Sequence, residues 1–222
     1  MRAAVLLGAL GWLAVSQAVE FPLLPALKSD LASDSLLLDA ARKGTRLLVG
    51  GEQGNILYSD DNGTSWIQAD VPVSLAITSV AFAGDGHAWA TAHDGYLLHS
   101  GDNGSSWEAK LTGSDVAALT VSSVEAKVES LRAVLDQATP ETREDAEWAL
   151  DDALFALEEA QAATDEGMTS PLLETWFADD KRGYVLGAYG VFLHTDDGGA
   201  NWVAHNHRLR NPENYHLYGM TR

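Results

Sequence analysis

The 222-residue chain contains no cysteine, so disulfides, thiolate metal sites and cysteine nucleophiles are excluded from the outset. Basic residues are scarce. Fourteen Lys and Arg face thirty-two Asp and Glu, a formal charge of −18 with a pI near 4.5. A surface of that sign repels nucleic-acid phosphates and anionic lipid, which sets nucleic-acid binding aside. The one long apolar run, Ala3–Val15, is thirteen residues, too short for a permanent bilayer span. With Arg2 before it and Ser16-Gln17-Ala18 after it, the run reads as a secretory signal over residues 1–18. The expected location is therefore exported, periplasmic or extracellular, with membrane association only through a partner. No phosphate loop, dinucleotide fingerprint or Ser/His/Asp order stands out.

What the chain does have is a repeat. Ser59-Asp60-Asp61-Asn62-Gly63-Thr64-Ser65-Trp66 recurs as Ser100-Gly101-Asp102-Asn103-Gly104-Ser105-Ser106-Trp107, and again as Thr195-Asp196-Asp197-Gly198-Gly199-Ala200-Asn201-Trp202. The shared pattern is Ser/Thr-x-Asp-x-Gly-x-x-Trp. Its Asp can accept from backbone N–H groups two or three residues on and close a tight turn. Its Gly supplies positive φ, and its Trp opens the next strand with a large surface to bury. The structural residues expected of the three boxes are thus Ser59, Asp61, Gly63 and Trp66; Ser100, Asp102, Gly104 and Trp107; and Thr195, Asp197, Gly199 and Trp202.

Residues 36–66, 77–107 and 172–202 superpose without a gap. Trp66 and Trp107 are 41 residues apart, a propeller-blade spacing, whereas Trp107 and Trp202 are 95 apart, 54 more than one period. Each unit resolves into four short strands. In the second they are expected at 77–82, 87–92, 96–100 and 106–111, and in the third at 172–178, 183–188, 191–195 and 201–205. The fold class expected is all-β: a β-propeller of four-stranded antiparallel blades, three blades plus the start of a fourth, with an inserted α-helical hairpin. The boundaries are 1–18 signal, 19–34 linker, 35–113 blades one and two, 114–167 insertion, and 168–222 blade three with the first strand of another unit at 215–221. Three units fall short of the usual four to eight blades. The expectation is a fragment of a longer propeller, the other possibility being a ring closed through another chain.

Within the insertion, Val124, Val128, Leu131, Leu135 and Ala138 form one helical stripe, with Ser122 and Glu125 as a capping box. Thr139-Pro140 restarts a helix whose stripe is Ala146, Leu150, Ala153, Leu154, Leu157 and Ala160, stopped by Gly167. Residues 114–167 hold fourteen Asp and Glu against three Lys and Arg, which is −11 of the −18. These carboxylates serve either as solvated faces or as an arm for a basic partner, and Glu144, Glu147, Asp151 and Glu158 are the partner-contact candidates. Asp151-Asp152 and Glu158-Glu159 diverge around a helix, a poor metal geometry.

The boxes resemble the Asp-box (bacterial neuraminidase) repeat. The longer unit, with Gly-x-x-Gly before its third strand and a box after it, resembles the photosystem II stability/assembly factor family of propellers. That resemblance implies an exported, non-enzymatic propeller with no cofactor and no catalytic or metal-binding residues, which binds a membrane-protein partner to aid assembly or stability of a membrane complex. The acidity of this chain and its helical insertion depart from the family pattern and point to an envelope or membrane protein with a basic surface. The alternative is a sialidase-like glycoside hydrolase or glycan-binding propeller. It would need arginines converging on a substrate carboxylate, and the chain offers Arg42, Arg46, Arg182, Arg208, Arg210 and Arg222. His205 and His207 could form two arms of a metal site, while His99, His194 and Tyr58 share one repeat position and read as a structural slot.

Overall fold

The computed structural model describes residues 24–211 and 213–220. The expected signal segment, the first residues of the linker and Arg222 lie outside the described residues. Three four-stranded antiparallel sheets follow one another in chain order. The first contains β1 (Leu37–Lys43), β2 (Arg46–Gly51), β3 (Ile56–Ser59) and β4 (Ile67–Gln68); the second β5 (Ile77–Ala83), β6 (His87–Ala92), β7 (Leu97–Ser100) and β8 (Glu108–Leu111). The third contains β9 (Leu172–Phe177), β10 (Gly183–Gly187), β11 (Phe192–Thr195) and β12 (Val203–Ala204). The gapless superposition reappears as strand register: Val49 faces Leu57, Ala90 faces Leu98, and Val185 faces Leu193. A shared register means each side chain at a given repeat position points to the same side of its blade.

The first strands β1, β5 and β9 lie side by side and the blades stack face to face, a propeller-like arrangement. Two apolar cores result. Between blades one and two, Leu48, Ile56 and Ala69 meet Ile77, Val80, Ala90, Leu98 and Trp107. Between blades two and three, Trp89 and Leu97 meet Leu172, Val185, Leu193, Trp202 and Ala204. Each large side chain fully buried here contributes about 1.5–3 kcal/mol. Among the described residues only blade two has another blade against each face. Tyr184 and Phe192 occupy on blade three the positions of Trp89 and Leu97, and they remain half-buried where those two are buried. On the opposite flank the segment 26–29 lies along blade one, with the Ala26 N–H donating to Val71 O and the Ser29 N–H to Gln68 Oε1.

The sheets do not close into a ring among the described residues. The strand expected at 215–221 is absent there. The Leu217 N–H reaches Gly187 O, and Asn211 bonds to both backbone polar groups of Tyr215. Among the described residues no second strand lies alongside to extend that single bond into a ladder.

The insertion is two helices, α1 (Gly113–Asp136) and α2 (Arg143–Asp165). α1 starts well before its expected cap at Ser122. Thr112 is the N-cap: the Asp115 N–H donates to Thr112 Oγ1, and the Thr112 N–H donates back to Asp115 Oδ2 at 2.8 Å. That reciprocal pair satisfies two orphan donors one blade-end earlier than the apolar stripe suggests. The first turn must begin at a glycine, because a Cβ on Gly113 would strike Asp94 O and Thr169. α2 begins three residues after Pro140 rather than at it. Gly167 ends it as expected. With φ +70° it donates to Thr164 O while Met168 donates to Ala163 O, the double bond pattern that ties off a helix end.

Candidate functional site

Each box closes by the same four contacts. The Ser or Thr hydroxyl (Ser59, Ser100, Thr195) donates to Oδ1 of its Asp (Asp61, Asp102, Asp197) at 2.8 Å and accepts the N–H of Gly63, Gly104 or Gly199 at 2.7–3.0 Å. Oδ1 also accepts the backbone N–H of Ser65, Ser106 or Asn201 at 2.9 Å. That donor stands four residues on, one beyond the expected reach, while the backbone N–H three residues on (Thr64, Ser105 or Ala200) also serves its Asp, at 2.9 Å in the second box. The side chains of Ser65, Ser106 and Asn201 donate to Oδ2 at 2.7 Å. These three residues escape the sequence pattern, which treats their position as free although all of them carry donors. The turn takes two consecutive residues of positive φ, Asn62-Gly63, Asn103-Gly104 and Gly198-Gly199, a conformation open mainly to Gly and Asn.

The electrostatics follow from this wiring. Hydrogen bonds from the Ser65 side chain and backbone hold the Asp61 carboxyl down at about 2, and those from Asn201 hold Asp197 at about 2. At Asp102 burial works the other way, yet the bonds from Ser106, Ser100 and Ser105 outweigh it and the carboxyl is lowered. A carboxylate with its lone pairs committed to its own turn is a poor general acid and has no free coordination to offer.

The box tryptophans divide. Trp107 and Trp202 are 8% and 7% exposed between blades, but Trp66 is 37% exposed because no blade packs against it. Trp107 Nε1 donates to Gly104 O at 3.1 Å. Trp202 Nε1 is buried without an acceptor among the described residues, and its ring instead meets Trp89 and Phe177 edge-on.

The arginines of the hydrolase alternative do not converge. Arg46 lies 4.0 Å over the Tyr58 ring, pairs with both oxygens of Asp60 at 2.8 Å, and reaches Ser105 Oγ and Asn103 O, tying the first box to the second. Arg42 donates to Asn62 Oδ1 and Gly44 O, and Arg182 pairs with Asp179 at 2.8 Å. Arg208 and Arg210 are exposed. The histidines are partnered separately. His99 lies tilted against Trp89, stacks on His87 with its Nε2 3.0 Å from His87 Nδ1, and faces Glu108 at 3.3 Å. His194 pairs with Asp196 at 3.1 Å. His205 packs on Phe192 and His194, whereas His207 turns to the Ser123 hydroxyl of α1 at 2.7 Å. The strand gives way to a 3₁₀ turn at Asn206–Arg208, and the His205 and His207 rings meet edge to face with centroids 6.2 Å apart. Burial lowers the pKa of both, assisted by Arg208.

On the innermost strands Asp39, Ser79 and Glu174 gather. Asp39 Oδ2 accepts the Val80 N–H at 2.8 Å. Burial, then the Asp39 charge, raises the Glu174 carboxyl above its ordinary value.

The arm presents the partner-contact candidates together. Glu144, Glu147, Asp151 and Glu158 are all exposed on α2, with Glu147 tied to Arg143 at 2.9 Å. α1 carries the arm on the blades: Val116 and Leu119 belong to the core between blades two and three, and Ser123 bonds to His207. α2 packs chiefly on α1. Its outer side also shows Trp148 and Phe155, which lie off the buried stripe.

The chain matches no known protein-family profile and no curated protein. Among solved structures it is similar to YCF48 bound to D1 peptide, at 14% identity and a TM-score of 0.47 over 77% of this chain and 40% of that one. It is similar also to YCF48 from Cyanidioschyzon merolae, at 17% identity and a TM-score of 0.46 over the same shares. The chain spans about 40% of the length of those two structures.

Proposed function

We propose that the chain acts as an exported, non-enzymatic propeller scaffold that holds a membrane-protein partner through its helical arm and aids assembly or stability of a membrane complex. One observation carries the reading: the carboxylates that repeat are consumed in their own turns, while those of α2 stand exposed, Glu147 being paired with Arg143. A scaffold needs a rigid support and an accessible contact. The blades supply the first, and the arm, rooted in their core by Val116, supplies the second. Contact with the membrane itself runs through the partner; no helix among the described residues is long and apolar enough to cross a bilayer. An acidic face would meet a basic partner surface with strong salt dependence.

The test is capture from detergent-solubilised envelope of the source cells, with cross-links mapped by mass spectrometry and glycan turnover assayed in parallel. Cross-links from the arm to one membrane protein, lost at high salt and without turnover, are expected. Release of sugar from sialylated or other glycans would overturn the reading in favour of the hydrolase alternative.

A further inference from the structure

The sequence of α2 from Glu144 to Glu159 is a heptad pattern with its polarity inverted. Glu144-Asp145, Asp151-Asp152 and Glu158-Glu159 are pairs seven residues apart, and Trp148 and Phe155 fall between successive pairs, themselves seven apart. At 100° per residue, Trp148 and Phe155 form one ridge, Glu144, Asp151 and Glu158 run along one side of it, and Asp145, Asp152 and Glu159 run along the other. The burial agrees. Trp148 is 71% and Phe155 61% exposed, all six carboxylate residues are exposed, and Ala146 and Ala153 on the opposite side are buried against α1. No Lys or Arg falls between Glu144 and Glu159. An exposed aromatic ridge is costly to leave in water, and a single ridge with matched charges on both flanks differs from a merely solvated face, which carries no large apolar groups.

We propose that this face is a docking seam for a cationic amphipathic helix of the partner protein. The spacing selects a helix, because a one-heptad repeat of anchors matches the seam of a second helix laid alongside. The flanks select its charge: Lys or Arg on both sides of its apolar stripe would meet the two carboxylate rows, and a guanidinium or ammonium could also lie over the Trp148 ring. Repulsion of acidic helices by the same rows gives the face its selectivity. Since α2 hangs on α1, the seam is unobstructed by the blades. The proposal rests on the scaffold reading for the identity of the partner, but its chemistry stands on α2 alone.

The probe is a synthetic peptide about three heptads long, with a Leu/Ala stripe flanked by Lys, titrated against the full chain by fluorescence anisotropy at low and high salt. Saturable binding that weakens at high salt is expected. Trp148→Ala with Phe155→Ala should weaken it about tenfold or more, and Asp151→Lys with Asp152→Lys should abolish it. All four side chains are exposed, so the variants are expected to keep the parent's circular dichroism and melting temperature. A peptide of the same charge with prolines breaking its helix should not bind.

Equal binding of the broken peptide, or unchanged binding by the aromatic variant, would reduce the face to a patch of charge and overturn the proposal. So would binding of a Glu-for-Lys peptide, an absence of binding altogether, or insertion of Trp148 into phosphatidylcholine vesicles. The two readings fail separately. If the aromatic variant still captures the native partner fully, the docking seam falls while the scaffold stands. If the peptide binds as expected but the wild-type chain captures no membrane protein, the scaffold reading falls and the seam remains.

Discussion

At the level of single residues, the box glycines answer two demands at once, and the two can be separated. Gly63 and Gly104 share a φ of +88°, so replacement by Ala strains the backbone equally. They differ in neighbours: a Cβ on Gly63 would find Leu47 and Trp66 at 3.4 Å, whereas one on Gly104 would strike Leu48 in the core between blades. Gly104→Ala should therefore cost about 1–3 kcal/mol more than Gly63→Ala in urea unfolding, the usual range for overpacking. Equal losses would show that the conformation alone demands glycine. The tryptophans should divide in the same way. Trp107→Ala belongs in the range of about 3–5 kcal/mol for large core truncations, and the half-open Trp66 well below it.

Titration supplies the third residue-level test. A carboxyl raised in the folded state, as at Glu174, binds its proton more tightly there, so its contribution is complete below the unfolded value and is lost as pH rises through the folded one. Glu174→Gln should accordingly stabilise the chain at neutral pH and flatten that limb of the stability profile. The box aspartates have the opposite sign. Their contribution is present above the ordinary carboxylate range and disappears as pH falls toward about 2. A profile of thermal melts from acid to neutral pH checks both limbs.

Among the elements, α1 is the one whose role changes between sequence and structure. Its length beyond one blade period suggests a removable decoration, yet Val116 is buried with Trp89, Leu172 and Trp202. Replacing 114–167 by a Gly/Ser linker should thus lower the melting temperature substantially, and Val116→Ala alone should cost roughly 1–3 kcal/mol. A shorter cut that keeps 113–127 should preserve the blades. If the full replacement melts like the parent, the helix is not part of the core. The blades were legible because their turns admit few residues: paired positive φ values at Asn62-Gly63 and Asn103-Gly104 force the composition that marks the period. The root of α1 was not, since Thr112-Gly113-Ser114 has the composition of a loop and only the approach of Asp94 O and Thr169 explains the glycine. Trp148 and Phe155 were hidden for a different reason. Apolar periodicity marks the side of a helix that is buried, and these residues lie on the other side. The exposure of Trp66 is not a local property at all; it depends on which sheet stands next to it.

Over the whole molecule, blade three offers Tyr184 and Phe192 to solvent in part, at positions where blade two keeps Trp89 and Leu97 buried. Such a face, beside an unpaired strand edge, favours association. Sedimentation velocity across a range of concentrations should show self-association of the 222-residue chain, reduced by Phe192→Lys. A monomer at every concentration would mean that these side chains are covered by some other part of the chain. The match between Leu48 and Gly104, and between Trp89 and Gly199, has a consequence for the order of the blades. Each blade presents one large side chain as a key, and the following blade offers a glycine as the keyway. The keys differ in shape, so the blades are not interchangeable parts: a slot cut for the leucine of the first would not admit the indole of the second. Shuffling the repeats would therefore break the stack although every strand kept its local sequence. Tyr184 holds the key position on the third blade, and a sheet seated against it would need a glycine opposite the phenol ring.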